Sequence, residues 1–143
     1  MKLHPIQLLS VETEELSIVV HERVKFLNND YPKDFDYTIF STEFDEDQSI
    51  IKVKVELNVK PAEEGTIDRP FSLKVGVAGA FKVDTSIFPV DKLDIFIVHN
   101  APLILLPYVR EHAFSLTQRA GFEAIILPLV EVPTIKVTNN NQN

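Results

Sequence analysis

The chain has 143 residues, a formal net charge of −7 and no cysteine. That length suits one domain that buries its core without staples. The missing thiols exclude disulfides and cysteine catalysis, and the acidic balance argues against a general nucleic-acid binder, which shows a basic patch.

The N-terminal stretch MKLHPIQLLSVETEE turns acidic at once and has no small-residue cleavage site, so it does not read as a signal peptide. No uninterrupted run approaches the roughly 20 apolar residues that span a bilayer. A cytoplasmic protein is expected.

Ile6 to Val20 reads as a long, irregular strand. Its alternation changes phase between Val11 and Leu16, which predicts a bulge near Glu14. Asn28-Asn29-Asp30 and Tyr31-Pro32 are turn formers. Asp34 to Phe44 reads as a second strand with an aromatic approach, holding Phe35, Tyr37, Phe40 and Phe44, and Glu43 to Gln48 reads as an acidic turn. Ile51 to Lys60 alternates strictly, apolar at Ile51, Val53, Val55, Leu57 and Val59, so one face is buried and one is wet. Pro61 to Arg69 is a loop with Gly65 at its tip. Phe71 to Val83 restarts the period as a fourth strand, antiparallel to the third. Its small residues Gly76, Ala78, Gly79 and Ala80 suit close approach by a packed element.

Thr85 to His99 is a connector with a short helical turn. One long helix follows, roughly Leu105 to Arg119, with Pro102 and Pro107 near its start and Gly121 as its left-handed stop. Leu106, Val109, Ala113, Leu116 and Ala120 form an apolar stripe, widened by Tyr108 and Phe114. A stripe that wide serves two partners, its own sheet and another subunit. Glu123 to Val137 reads as extended chain, interrupted by Pro128 and Pro133, and Thr138 to Asn143 as a disordered tail. The fold class is α+β: a four-stranded antiparallel sheet, then one long helix, in a single domain over 1–137 with a tail over 138–143.

Chemistry is sparse. His4, His21, His99 and His112 show no metal-ligand spacing, and no phosphate-binding glycine loop or nucleophile elbow is present, so no metal, cofactor or catalytic residue is assigned. Arg110, Glu111 and His112 form a polar cluster in the helix, read as a charged face in preference to an acid–base group. The acidic runs Glu12/Glu14/Glu15 and Glu43/Asp45/Glu46/Asp47 read as solvated surface or as a docking face for a basic partner. The aromatics between Tyr31 and Phe44 are the stronger clue: either satellite packing or an apolar groove for extended peptide.

The run Ile104-Leu105-Leu106-Pro107-Tyr108-Val109-Arg110-Glu111, then Arg119-Ala120-Gly121-Phe122, then Leu127-Pro128 and Val130, resembles the signature region of SecB, the bacterial protein-export chaperone family. In that family a similar I-L-F-P-Y-A-R-E run opens the long helix. The VAGAF segment resembles the family's fourth strand, and Glu15-Leu16-Ser17-Ile18 its D-I-S-F stretch. The resemblance implies a non-enzymatic, ATP-independent holdase that binds unfolded or precursor polypeptides, keeps them competent for translocation and works as a homotetramer, a dimer of dimers with long helices between sheets. It also implies an acidic sheet face that docks the SecA motor, matched here by Glu15 and Ser17.

Two departures stand out. Pro133 lies where the family's second helix runs, so that helix is expected to be absent. Val19 stands at an acidic position of the family, which leaves open a chaperone dedicated to a toxin–antitoxin pair. Client contacts are expected at Phe35, Tyr37, Phe40, Phe44, Phe81, Phe88 and Phe96, and oligomer contacts at Leu106, Tyr108, Val109 and Ala113. The rival from another class is a small hot-dog thioesterase that would use Glu111.

Overall fold

Period-2 alternation commits a strand to one buried face, and the sheet is built on that commitment. The computed structural model describes residues 1–22, 35–60, 69–131 and 136–139. The turn at 28–32, the loop around Gly65, Pro133 and residues 140–143 lie outside the described residues. The strands are β1 (Ile6–Val20), β2 (Asp36–Ser41), β3 (Ile50–Val59), β4 (Phe71–Val83) and β5 (Lys136–Asn139). They pair in the order β1-β4-β3-β2-β5, antiparallel except for β2 with β5.

The registers place Val53 beside Gly79, Leu57 beside Val75 and Ile39 beside Val55. All these positions share the inner face, and the side chains of Ile39, Val53, Val55, Leu57, Val75 and Val77 are fully buried. Each contributes about 1.5–3 kcal/mol by leaving water. The predicted bulge is present, since β1 skips Glu14 between Thr13 and Glu15. A second irregularity, at Leu9, has no signature in the alternation.

A short 3-10 turn (Val90–Lys92) leads into α1 (Leu93–His99), and α2 (Ala101–Arg119) follows after Asn100. The long helix starts four residues before its predicted start, so Pro102 sits in the first turn while Pro107 lies inside the helix. An interior proline costs about 3 kcal/mol in a generic helix. Here Pro107 and Leu103 are both exposed, while buried Ala101, Pro102, Leu105 and Leu106 reward the longer helix. The helix ends as predicted. Gly121 takes φ 84°, its N–H donates to the Gln118 carbonyl at 3.0 Å, and the Phe122 N–H donates to the Thr117 carbonyl at 3.1 Å.

Helix α2 packs across β3 and β4. The stretch Val90–Arg119 is long and apolar enough to pass for a bilayer span, which a count of uninterrupted apolar residues misses. Its inner side is instead covered by its own sheet. No helix follows α2 among the described residues. Lys136–Asn139 forms β5 on the edge of β2, so the fold extends two residues into the stretch read as tail.

Candidate functional site

Three regions of the described residues carry features beyond the core: a cleft at one end of the sheet, a second cavity of about 510 Å³ lined by Leu3, Pro5, Val83 and Ile87 among others, and the outer face of the sheet. The cleft opens where β2 ends and α1 begins. It has a volume of about 250 Å³ and is lined by Phe44, Ile51, Val90, Leu93 and Ile97, with Ser41, Thr42, Glu43 and Asp94 as its polar members. The turn after β2 builds one wall: the Asp45 N–H donates to the Ile50 carbonyl at 2.9 Å, and the Gln48 N–H donates to Asp45 Oδ1 at 2.9 Å. Val90, on the helical side of the cleft, is itself exposed.

The seven aromatics named as client contacts separate by position. Only Phe44 lines the cleft. Phe81 and Phe96 are buried and meet edge to face at 5.3 Å in the core. Tyr37 is buried on β2, facing α2, and Phe35 and Phe88 are half-buried against the core. Phe40 lies on the outer face, with the Lys54 ammonium 5.8 Å from its ring centre. The sequence clusters these residues without telling which face each one takes.

On the outer face Gly76 opens a path. Lys54 on β3 reaches across β4 to Glu14 on β1 at 2.8 Å, and a Cβ at Gly76 would lie 3.0 Å from Lys54 Cε. Lys54 also meets Glu56 at 3.4 Å, while Lys74 meets Glu15 at 2.9 Å and Glu56 at 3.7 Å. Partial burial pulls the Lys54 ammonium down, but Glu14 and Glu56 outweigh it and hold its pKa above the usual lysine value. Hydrogen bonding to Glu15 and the charge of Glu56 likewise raise Lys74. Glu15, named with Ser17 for motor docking, therefore sits in a mixed-charge network. Ser17 pairs with Lys74 in the β1–β4 register.

The polar cluster of α2 divides among structural tasks. Arg110 Nη2 donates to the Pro128 carbonyl at 3.4 Å. Its Nε and the Tyr37 hydroxyl are both buried without a hydrogen-bond partner among the described residues. Burial pushes the Tyr37 phenol up to about 12, and the nearby Arg110 charge offsets only part of that rise. His112 Nε2 lies 3.0 Å from Thr13 Oγ1 and ties the helix to β1. Glu111 has a side chain 70% exposed, 3.4 Å from His112.

Of the four residues named for oligomer contacts, Leu106, Val109 and Ala113 are buried against the chain's own sheet. Tyr108 is exposed, together with Leu103, Ile104 and Phe114. The residue that sequence reasoning missed is Thr117. It is fully buried, its hydroxyl donates to the Ala113 carbonyl at 2.8 Å, and it accepts the Ile125 N–H at 3.0 Å. It fixes the returning segment 122–131, whose Phe122, Ile125 and Leu127 are buried.

An antiparallel sheet covered by one long helix, with a cleft of mixed polar and apolar lining at its end, defines an α+β scaffold. A model of the family described as preprotein translocase subunit SecB matches residues 4–142, and the chain belongs to that family. It is 39% identical over 57 residues to the protein-export protein SecB of Dechloromonas aromatica (strain RCB), over 40% of this chain and little more than a third (36%) of the relative. Among solved structures it resembles a Mycobacterium tuberculosis SecB-like chaperone in complex with a ChAD peptide from the HigA1 antitoxin. That likeness has a TM-score of 0.69 at 17% identity and covers 89% of this chain and 91% of the other.

Proposed function

We propose that this protein is a cytoplasmic, ATP-independent holdase that binds unfolded or precursor polypeptides through apolar contact. The observation that carries the reading is the cleft between the end of β2 and α1, open to solvent, with Phe44, Ile51, Leu93, Ile97 and exposed Val90 in its lining. Apolar contact of this kind is indifferent to client sequence and needs no catalytic group. Phe44 is the central contact, with Phe35, Phe40 and Phe88 at lesser positions. Tyr37, Phe81 and Phe96 support the walls from the core.

The working form is a homotetramer. Two features support it: β1 has no second neighbour among the described residues and carries exposed Leu9, Leu16, Val19 and Val20, and α2 carries exposed Leu103, Ile104, Tyr108 and Phe114.

Keeping clients competent for export through a SecA-type motor is one role for such a holdase, with Glu15 and Ser17 as the docking positions. The alternative is a chaperone dedicated to one client, such as the antitoxin of a toxin–antitoxin pair. Glu14 and Glu15 each pair with a lysine, Lys54 and Lys74, while both stay substantially exposed, so both roles stand as readings to be separated by experiment.

The test is suppression of aggregation of urea-unfolded malate dehydrogenase without ATP, using the full chain and a Phe44→Asp variant. Holding by the wild type and its loss in the variant is the expected result. A wild-type protein that holds nothing overturns the reading. Calorimetric titration with a SecA-type motor then separates the two roles, since measurable docking excludes the dedicated one.

A further inference from the structure

The edge of β2 carries an occupant of unusual kind. Lys136, Val137, Thr138 and Asn139 pair in parallel with Thr38, Ile39, Phe40 and Ser41, covering four of the six residues of β2. Three properties make this strand a weak resident. It has only four residues. Parallel pairing is less stable per residue than antiparallel pairing. Its sequence, Lys-Val-Thr-Asn, offers one aliphatic residue and ends on a poor strand former.

What keeps it there is proximity. Thr117 and Arg110 hold the preceding segment at Ile125 and Pro128, and four residues separate Glu131 from Lys136. So short a tether gives an effective concentration in the millimolar range.

The direction of the pairing matters as much. β2 runs toward Ser41, and the chain continues through Thr42 and Glu43 to Phe44, which are cleft residues. A strand parallel to β2 therefore points its C-terminal end at the cleft. A foreign chain on the same edge would satisfy the same backbone donors and acceptors and deliver its following residues to Phe44 and Leu93.

We propose that the edge of β2 is the strand-docking site for clients, and that β5 is an internal competitor that occupies this edge until a client displaces it. The inference rests on the holdase reading above. The partner it fits is an extended segment of four or more residues, apolar at alternate positions, running parallel to β2 with its C-terminal continuation in the cleft. Such a client exchanges one weak ladder for another and gains the cleft contacts in addition, so displacement is favourable only for chains that carry apolar residues.

The chain has no cysteine, so a Thr38→Cys/Lys136→Cys variant holds a single bridgeable pair on neighbouring strands. Adjacent strands bring such residues to about 4.8 Å, within disulfide range. The oxidised form locks β5 in place, and reduction of the same sample releases it. A second variant ends the chain after Ile135. Binding of unfolded malate dehydrogenase and of a fluorescent extended peptide is measured for all forms.

The expected results are affinity lowered at least tenfold on oxidation and restored on reduction, and affinity raised about tenfold by truncation, the factor for a site free a tenth of the time. Equal binding by the oxidised, reduced and truncated forms overturns the competition while leaving the holdase reading intact. Weaker binding by the truncated form overturns it too, because β5 would then belong to the client site. Absence of holding in every form overturns both.

Discussion

At the scale of single residues, two glycines on β4 separate a steric limit from a soft one. A Cβ at Gly79 would lie 2.8 Å from Leu105 Cδ2 and 3.1 Å from both Leu8 Cδ1 and Phe81 Cε2. These are core atoms where α2 crosses the sheet. Gly79→Ala is expected to cost about 1–3 kcal/mol, whereas Gly76→Ala displaces only the flexible end of Lys54 and costs under about 1 kcal/mol. Urea melts of the two variants check the contrast, and equal losses would refute it. Tyr37 makes a second case. Its hydroxyl is buried beside the Arg110 guanidinium with no well-formed hydrogen bond among the described residues, so Tyr37→Phe is expected to raise stability by about 1 kcal/mol at neutral pH. The phenol titrates at about 12 in the fold against 10.0 unfolded. Between those values the unfolded state loses its proton first, so stability falls as pH rises, by up to about 1.4 kcal/mol per unit. Lys54, held above its ordinary value by Glu14 and Glu56 against the pull of burial, acts with the same sign: its contribution is whole below the unfolded lysine value and is lost as pH rises through the folded one. Melts at pH 8 and pH 11 should show a large alkaline loss in the wild type and a smaller one in Tyr37→Phe.

At the scale of elements, the segment after α2 depends on one hydroxyl. Thr117→Val keeps the shape but leaves the buried Ile125 N–H without its acceptor. A loss of about 1–3 kcal/mol is expected, with Thr117→Ser recovering most of it and the Ile125 amide exchanging faster in the valine variant. Unchanged stability and exchange would show that the segment is held by Phe122, Ile125 and Leu127 alone. The same elements show what the residues declare in advance. β3 and β4 are legible because each buries one face, and the bulge at Glu14 because it shifts the alternation that β1 must keep. The glycine stop of α2 is legible because only a left-handed residue closes it. The start of α2 is not, because the penalty at Pro107 is local while the burial of Ala101 and Leu105 that outweighs it is tertiary. Thr117 escapes notice because a hydroxyl on an apolar stripe looks like a flaw until its partner is known. β5 escapes because edge pairing is made by backbone and leaves little side-chain signature. The aromatic clue marks apolar chemistry without a direction, which is how Phe44 reaches the cleft while Phe81 and Phe96 fill the core.

At the scale of the whole molecule, α2 gives one side to the sheet and leaves the other exposed. The inner side, through Leu105, Leu106, Val109 and Ala113, is committed to the sheet. The outer side keeps Tyr108 at 43% and Phe114 at 42% exposure, beside exposed Leu103 and Ile104. Single exposed apolar residues are ordinary, but four along one helix form a patch that monomers seldom leave bare. The edge of β1, without a second neighbour among the described residues, is a different surface that offers strand backbone together with exposed Leu9, Leu16, Val19 and Val20, and a two-fold pairing through it would leave α2 free to meet a second pair. The two contacts are therefore separable by mutation. Tyr108→Lys with Phe114→Lys places charge on the outer side of α2 without touching the core, so the circular dichroism spectrum and urea midpoint should stay close to wild type. Native mass spectrometry should then show a particle of two chains, where the wild type is expected at about four times the 16.2 kDa chain. A wild-type particle of one chain would remove the tetramer and leave the patch on α2 as a client surface. A variant that remains at four chains would move the helix-side contact elsewhere, with the edge of β1 still open to a partner strand.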